Sequence, residues 1–155
     1  MAPARSVPRW IGVLALSSVL TPGSSAAKAR GQVSGPFDLI VNAGNPVSTL
    51  SKTEAGKLFL KKKTQWGSGQ PVAPVDQVES APVRQAFSVR VLGREVYTIK
   101  SYWQQLIFAG RDVPPVEKSS DADVIAFVAA NPGGIGYVAP SAPLNSTVKV
   151  VKIEE

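Results

Sequence analysis

The sequence predicts an α/β fold in which helices flank a central mixed or parallel sheet. Two observations lead to this prediction. Short apolar segments typical of buried strands alternate with longer segments whose apolar residues recur at helical spacing. In addition, the helical pattern of residues 120–130 passes through a Pro-Gly-Gly stop into an apolar segment at 135–138, which is the order of helix and strand in an α/β layer.

The first strand is predicted at residues 37–42, because its middle is apolar on both faces, as in a strand covered from both sides. A loop beginning at Asn45 separates this strand from a helix. Ser51 and Glu54 have the spacing of a capping box and predict where that helix begins. Three lysines at 61–63 favour its end, since cations are stabilised near a helix C-terminus.

A short strand is predicted at residues 71–75. Its prolines favour an edge position or the first residues of the strand, because proline has no N–H to donate to a neighbouring strand. Ser80 is predicted to cap the next helix, which carries Pro82 in its first turn. We expect that helix to end near residues 92–93, where a glycine follows the last apolar position.

A further helix is predicted at residues 97–108, where aromatic and aliphatic residues form a broad apolar stripe. We expect this stripe to bury Trp103 and Phe108 in the core. The segment at 113–118 contains two consecutive prolines and is therefore predicted to be extended.

The last elements are a helix and two strands. Ser120 is predicted to cap the helix of residues 120–130, because Asp123 lies three residues further on. The strand at 135–138 follows, and a closing strand is predicted at 148–153.

The amino-terminal residues are typical of a secretory signal peptide, predicted over residues 1–29. Basic residues precede an apolar segment at 10–20, and small residues follow it. That segment is about half the length needed to cross a bilayer, so no stable membrane anchor is expected. Residues 30–36 are predicted to form a disordered tail and 37–155 one α/β domain. The expected location is the periplasm or the medium.

Composition excludes several kinds of chemistry. The chain has no histidine and no cysteine, so it lacks the usual general base, the thiol nucleophile and the nitrogen or sulfur ligands of metals. The glycines at 133–136 lack the spacing and the lysine of a phosphate-binding loop, and they mark only the passage from helix to strand. We therefore expect no enzyme, no cofactor and no metal site. The net charge of +6 suits small anions or acidic surfaces, and equally a protein without a charged partner; no nucleic acid partner is expected.

Two places could bind a small anion. At the start of the second helix, exposed backbone amides near Ser80 and Ala81 could hold an oxyanion, and Arg84 would add positive charge one turn later. Simple capping and a solvated arginine are the alternatives. Ser48 and Thr49 offer hydroxyls at the mouth of a strand, where ligands of α/β sheets tend to bind, or they only shape a turn.

Four segments taken together resemble the periplasmic phosphate-binding component of ABC transporters. They are Asn45-Pro-Val-Ser-Thr-Leu50, Tyr102-Trp-Gln-Gln-Leu-Ile-Phe108, Ala109-Gly-Arg-Asp-Val-Pro-Pro115 and Asn131-Pro-Gly-Gly-Ile-Gly-Tyr-Val138. The resemblance covers residues 37–138. It implies one lobe of a type II periplasmic binding protein, since the full-length relatives close two lobes around the ligand. It also implies an exported, non-enzymatic solute-binding protein that binds a small anion such as phosphate weakly, with an ABC permease as partner in phosphate uptake.

The chain departs from that family at the phosphate contacts. The relatives carry a Ser-Gly-Thr triplet and, four residues earlier, an arginine that binds phosphate. Here Ser80, Ala81 and Pro82 match the triplet and Asp76 stands in place of the arginine. This departure favours an alternative function, an envelope protein-interaction module whose lobe has lost its ligand and contacts another envelope protein.

Overall fold

Six strands form one mixed sheet in the computed structural model, which describes residues 36–155. The strands are β1 (Asp38–Asn42), β2 (Thr49–Ser51), β3 (Ala73–Gln77), β4 (Val116–Lys118), β5 (Gly134–Val138) and β6 (Val148–Glu154). Their order across the sheet is β2-β6-β1-β5-β3-β4. β1 is antiparallel to both of its neighbours and the other pairs are parallel, so β1 alone runs against the common direction of this sheet.

Four α-helices accompany the sheet in this part of the chain. They are α1 (Lys52–Phe59), α2 (Pro82–Phe87), α3 (Val96–Phe108) and α4 (Asp121–Ala130), and a π-helical turn at Ser88–Leu92 continues α2. Two of the predicted caps are confirmed. Ser51 Oγ accepts a hydrogen bond from the Glu54 amide at 3.2 Å, and Ser120 Oγ accepts one from the Asp123 amide at 3.1 Å.

β1 is buried on both faces, as its apolar sequence predicts. Leu39 and Val41 pack in one apolar cluster with Phe87 of the α2 segment. Ile40 packs in a second cluster with Val124 of α4. Because successive strand residues point to opposite faces, the two clusters lie on the two sides of the sheet. The predicted α/β arrangement, a mixed sheet flanked by helices, is confirmed.

Of the two positions predicted for the prolines near residue 74, the edge of the sheet is wrong, whereas Pro74 does lie among the first residues of its strand. β3 lies between β5 and β4 rather than at the edge. Pro74 is paired with Ile135 of β5, whereas β4 begins its pairing one residue later, at Val75. The missing N–H of Pro74 therefore falls outside the part of β3 that pairs with β4, and an inner position becomes possible.

Of the two aromatic residues predicted to be buried on α3, only one is. Trp103 is 5% exposed and its burial is confirmed, whereas Phe108 is 89% exposed and the prediction of its burial is wrong. The buried residues of α3 are Val96, Ile99 and Trp103, which share one narrow face. Phe108 follows Trp103 by five residues, which places its side chain about 140° around the helix axis from the buried face. Phe108 therefore points to solvent.

The loop predicted to begin at Asn45 ends in a strand that the sequence did not reveal. β2 has three residues and pairs in parallel with β6, with Leu50 opposite Ile153. Three residues are too few to show a period in the sequence.

The predicted signal peptide at residues 1–29 lies outside the described residues, as does the predicted tail at 30–36 except for Pro36. Both stay predictions. Within residues 36–155, no helix combines the length and the apolar character that crossing a membrane requires.

Candidate functional site

Four polar side chains are buried together where β3 ends. Asp76 and Gln77 belong to β3, Arg84 to the first turns of α2, and Tyr137 to β5. The Arg84 guanidinium forms an ion pair with one carboxylate oxygen of Asp76, and the Tyr137 hydroxyl donates to the other. That hydroxyl accepts from the Gln77 amide at 3.2 Å and from Arg84 Nη1 at 3.4 Å. The four groups thus form one connected network under the surface.

Local packing explains why these residues meet. The Tyr137 ring stacks on Phe87, with ring centroids 4.0 Å apart. Gly136 lets β5 approach its neighbours, since a Cβ there would lie 2.7 Å from Val124 Cγ1 and 2.8 Å from Val75 Cγ1. Stacking and close approach therefore fix the Tyr137 hydroxyl beside the end of β3.

Gln77 joins this network to the start of α4. Its side-chain amide donates to Asp121 Oδ1 at 2.8 Å and to the Tyr137 carbonyl at 3.0 Å. Asp121 also accepts from the Ala139 amide at 3.3 Å. The ends of β3 and β5 and the start of α4 are consequently held by side chains as well as by the sheet.

Burial shifts the proton affinity of two members of the network. It raises the pKa of Tyr137 to about 12, although the positive charge of Arg84 and the hydrogen bond from the Gln77 backbone oppose that change. Burial also lowers the pKa of Arg84, against the opposing effect of negative charge on Tyr137 and Glu117. At neutral pH the hydroxyl is therefore a neutral donor to Asp76.

Arg84 also borders a cleft of about 240 Å³ that opens beside α3. The cleft is lined by three carboxylates and two cations, and by side chains of α3 and the following loop. These are Asp76, Glu79, Glu117, Arg84, Lys100, Trp103, Gln104, Ile107 and Pro114. Arg84 is 3% exposed, and its buried Nε atom has no hydrogen-bond partner among residues 36–155. We call this hollow the Arg84 cleft.

Ser80 borders a different hollow. That hollow measures about 410 Å³ and is lined by Glu79, Ser80, Gln85, Glu95, Val96 and Tyr97. Two of these residues are carboxylates and none is a cation, so this hollow is a poor place for an anion. The structure therefore places Ser80 and Arg84 beside separate hollows, although both lie near the start of α2.

The helix start itself differs from the prediction. Ser80 does not cap α2: the N-cap residue is Ala81, whose methyl group cannot accept a hydrogen bond. The Ala81 amide donates to the Val78 carbonyl at 3.0 Å, and Pro82 has no N–H. Turn formation at Val78 moves the helix start one residue along the chain. The Ala81 amide, which was expected to bind an oxyanion, is therefore not available to it.

Ser48 and Thr49 lie far from this region. They precede and begin β2, which three strands separate from β3, a distance of about 19 Å at the usual strand spacing. They also lie at the amino end of a strand, whereas Ser80 follows the carboxyl end of a parallel one. The structure does not bring them together with Arg84. Ligand binding at each of the predicted positions stays a prediction.

Two charged residues of the Arg84 cleft, Lys100 and Glu117, were not singled out by sequence reasoning, and Trp103 was predicted mainly as a core residue. Lys100, Trp103 and Glu117 come from segments distant from Arg84 along the chain. The one signal available was Asp76, a charge at the end of an apolar strand, which the family resemblance marked as a departure without showing its partner.

Solved structures share this fold. A phosphate ABC transporter substrate-binding protein from Clostridium perfringens, solved with bound phosphate, matches with a TM-score of 0.61 and 20% identity over 77% of this chain and 45% of its own. An ABC-type phosphate transport receptor from Vibrio cholerae matches with a TM-score of 0.59 and 18% identity over 77% of this chain and 46% of its own. No protein-family model and no curated protein matches the chain.

These likenesses confirm the predicted fold, that of the type II periplasmic binding proteins, and the resemblance to phosphate ABC transporter substrate-binding proteins. The chain spans less than half the length of the two structures. Its length therefore corresponds to about one of the two lobes that the resemblance implies.

Proposed function

We propose that this protein is an exported solute-binding protein that binds a small, phosphate-like anion weakly in the Arg84 cleft and takes part in ABC-type phosphate uptake. The observation that carries the proposal is Arg84, a buried cation that borders a cleft at the carboxyl end of β3 and whose Nε has no hydrogen-bond partner among the described residues. That end of the strands is where ligands of α/β sheets usually bind. The predicted signal peptide supports export.

Weak binding follows from the surroundings of Arg84. The Nη1 atom of Arg84 is already paired with the carboxylate of Asp76. In addition, three carboxylates and only two cations line the cleft. A micromolar site needs about 8 kcal/mol. One or two charge-assisted hydrogen bonds supply about 1.5 to 3 kcal/mol each before the entropy of association is lost. We expect millimolar affinity, and a second lobe or a partner such as an ABC permease would have to strengthen it.

A binding role without catalysis fits these residues. The matched structures are transport proteins by description. Tyr137 keeps its proton at neutral pH, and Asp76 is held by an ion pair and two hydrogen-bond donors. Neither group is prepared to exchange protons with a bound solute.

Titration of the purified protein with phosphate, followed by ¹⁵N–¹H NMR, tests the proposal. We expect millimolar affinity and shift changes at amides around Arg84 and Lys100. Lys100→Met should weaken binding about threefold to tenfold, because Lys100 lines the cleft. Lys57→Met removes the same charge from an exposed position on α1 and should leave binding unchanged. Equal effects of the two variants, or no shifts at 50 mM phosphate, would contradict the proposal.

A second candidate function is the protein-interaction module of the envelope. One observation favours it: Tyr97 and Phe108 are 72% and 89% exposed, and they lie eleven residues apart on α3, which places them on one helix face. Exposed aromatic residues on one face are typical of docking surfaces. Sedimentation of the protein with and without Phe108→Ser tests this function. A dimer that the variant dissociates would support it.

A further inference from the structure

The Arg84 cleft has charges of both signs on its wall. Arg84 and Lys100 carry the positive charge, and Glu79 and Glu117 add negative charge beside the already paired Asp76. A ligand that carries charge of one sign only would be repelled by a group of the same sign in either orientation. The arrangement therefore bears on which solute the cleft selects.

The positive side of the cleft can accept an anionic group. Arg84 borders the cleft, and its buried Nε lacks a partner within residues 36–155. The positive charge of its guanidinium would attract the anionic group of a ligand. Lys100 Nζ lies 2.9 Å from Glu79 Oε1, with the two side chains 53% and 47% exposed. A pair this exposed is weak and can rearrange, which would free the ammonium of Lys100 for the ligand.

The negative side is a carboxylate without a partner. The exposed side chain of Glu117 on β4 has no hydrogen bond and no ion pair in the described part of the chain, although Glu117 lines the cleft and its charge acts on Arg84. It can accept an ammonium group. Inorganic phosphate has none, and its charge would be repelled by Glu117.

Three of the side chains that line the cleft are apolar. Trp103, Ile107 and Pro114 line the same cleft. Its volume of about 240 Å³ lies below the usual range of pockets for drug-sized molecules. A few methylene groups between the anionic and the cationic end of a ligand would cover this apolar surface.

We infer that the solute of this cleft is a small zwitterion, with an anionic group bound by Arg84 and Lys100 and an ammonium group bound by Glu117. The inference rests on the proposed function, because it concerns the same cleft, and it narrows the solute from anions in general to short amino acids or aminoalkyl phosphates. Both classes of solute carry one ammonium group and one anionic group. The probes described below determine whether the anionic group is a carboxylate or a phosphate.

Matched pairs of probes test the inference by NMR titration of the purified protein. The zwitterions are β-alanine, 4-aminobutyrate and 2-aminoethyl phosphate, and each is compared with the same molecule lacking its ammonium: propionate, butyrate and ethyl phosphate. At least one zwitterion should bind tenfold or more tightly than its matched anion and more tightly than inorganic phosphate. The pair with the largest ratio identifies the anionic group.

A variant then assigns the ammonium to its partner. Glu117→Gln should lower the affinity of the best zwitterion at least fivefold and leave that of its matched anion unchanged or higher. Glu154→Gln, an exposed position on β6, should change neither. Equal affinities of zwitterions and anions, or tightest binding of inorganic phosphate, would overturn the inference and leave the proposed function standing. Absence of binding by every probe, phosphate included, would overturn both.

Discussion

Arg84 and Asp76 form an ion pair from which solvent is almost excluded, since the two residues are 3% and 4% exposed. Tyr137 completes the coordination of Asp76. The resemblance to phosphate-binding proteins implies an arginine at the position of Asp76. Here the arginine comes from α2 and the aspartate neutralises it. The positive charge of Arg84 is therefore paired within this chain.

Removing one member of this pair should be costly. Asp76→Asn leaves the buried guanidinium without its counter-ion, and we expect the free energy of unfolding to fall by about 3 to 5 kcal/mol. Urea denaturation measures the change. Glu79→Gln is the control, because it breaks an ion pair of 2.9 Å that is half exposed and should cost about 0 to 1 kcal/mol. Similar losses of unfolding free energy in the two variants would mean that burial does not make the Asp76 pair more costly to break than an exposed pair.

The same contact changes what an arginine at position 76 would do. The family resemblance alone implies that Asp76→Arg restores a phosphate contact. The structure places position 76 against Arg84, so the variant would bury two guanidinium groups together. We expect it to unfold at a lower denaturant concentration than Asp76→Asn, because repulsion adds to the lost pairing. Equal or higher stability of Asp76→Arg would show that the two arginines can separate.

Local patterns in the sequence were enough for much of the fold. Ser51 and Ser120 each accept a hydrogen bond from the backbone amide three residues further along the chain, so their spacing predicts both helix starts. β1 has apolar side chains toward both faces, and the sheet covers it on both. These features depend on neighbours along the chain or on a simple period.

Features set by distant residues could not be predicted in this way. The position of β3 depends on β4, a three-residue strand whose sequence has no period. The partner of Asp76 depends on how α2 packs, and the wall of the Arg84 cleft combines α2, α3 and β4. Phe108 belongs to an apolar stripe by sequence, yet only one face of α3 meets the core. Sequence reasoning thus selected the start of α2, which borders the candidate cleft, but not the charged groups around Arg84.

The pKa of Tyr137, raised to about 12, predicts how stability depends on pH. The unfolded chain loses this proton near pH 10, before the folded protein does, so stability is complete below pH 10 and falls as pH rises toward 12. The contribution lost is up to about 3 kcal/mol. Tyr137→Phe should reduce the steepness of this fall.

Absorbance at 295 nm measures the ionisation directly. The chain has three tyrosines. In the double variant Tyr97→Phe and Tyr102→Phe, Tyr137 alone remains, and its titration should have a midpoint near pH 12 under conditions that keep the protein folded. A midpoint near 10 with an intact circular dichroism spectrum would show that the hydroxyl is not buried against Asp76.

Trp103 and Phe108 test how α3 packs. Trp103→Ala removes a side chain that is 5% exposed and should lower the free energy of unfolding by about 3 to 5 kcal/mol. Phe108→Ala removes one that is 89% exposed and should change it by less than about 0.5 kcal/mol. Thermal and urea denaturation measure both. A large loss with Phe108→Ala would mean that another surface covers this residue in solution.

The turn between α4 and β5 depends on the absence of a side chain at Gly133. A Cβ there would lie 1.8 Å from the Pro71 carbonyl oxygen, so the backbone must move to accept alanine. Movement would strain the hydrogen bonds that the Gly133 carbonyl accepts from Trp66 Nε1 at 3.0 Å and from the Ala73 amide at 2.9 Å. We expect Gly133→Ala to lower the free energy of unfolding by about 1 to 3 kcal/mol.

Gly67→Ala is the matched control for this prediction. A Cβ at Gly67 would meet no atom within 4 Å, and its backbone does not adopt the left-handed conformation that favours glycine. Its effect on urea denaturation should stay within about 0.5 kcal/mol. Trp66 fluorescence would report the same difference locally, because its ring bonds directly to the Gly133 carbonyl. If Gly133→Ala were as stable as Gly67→Ala, with unchanged Trp66 emission, the close approach of this turn to Pro71 would be wrong.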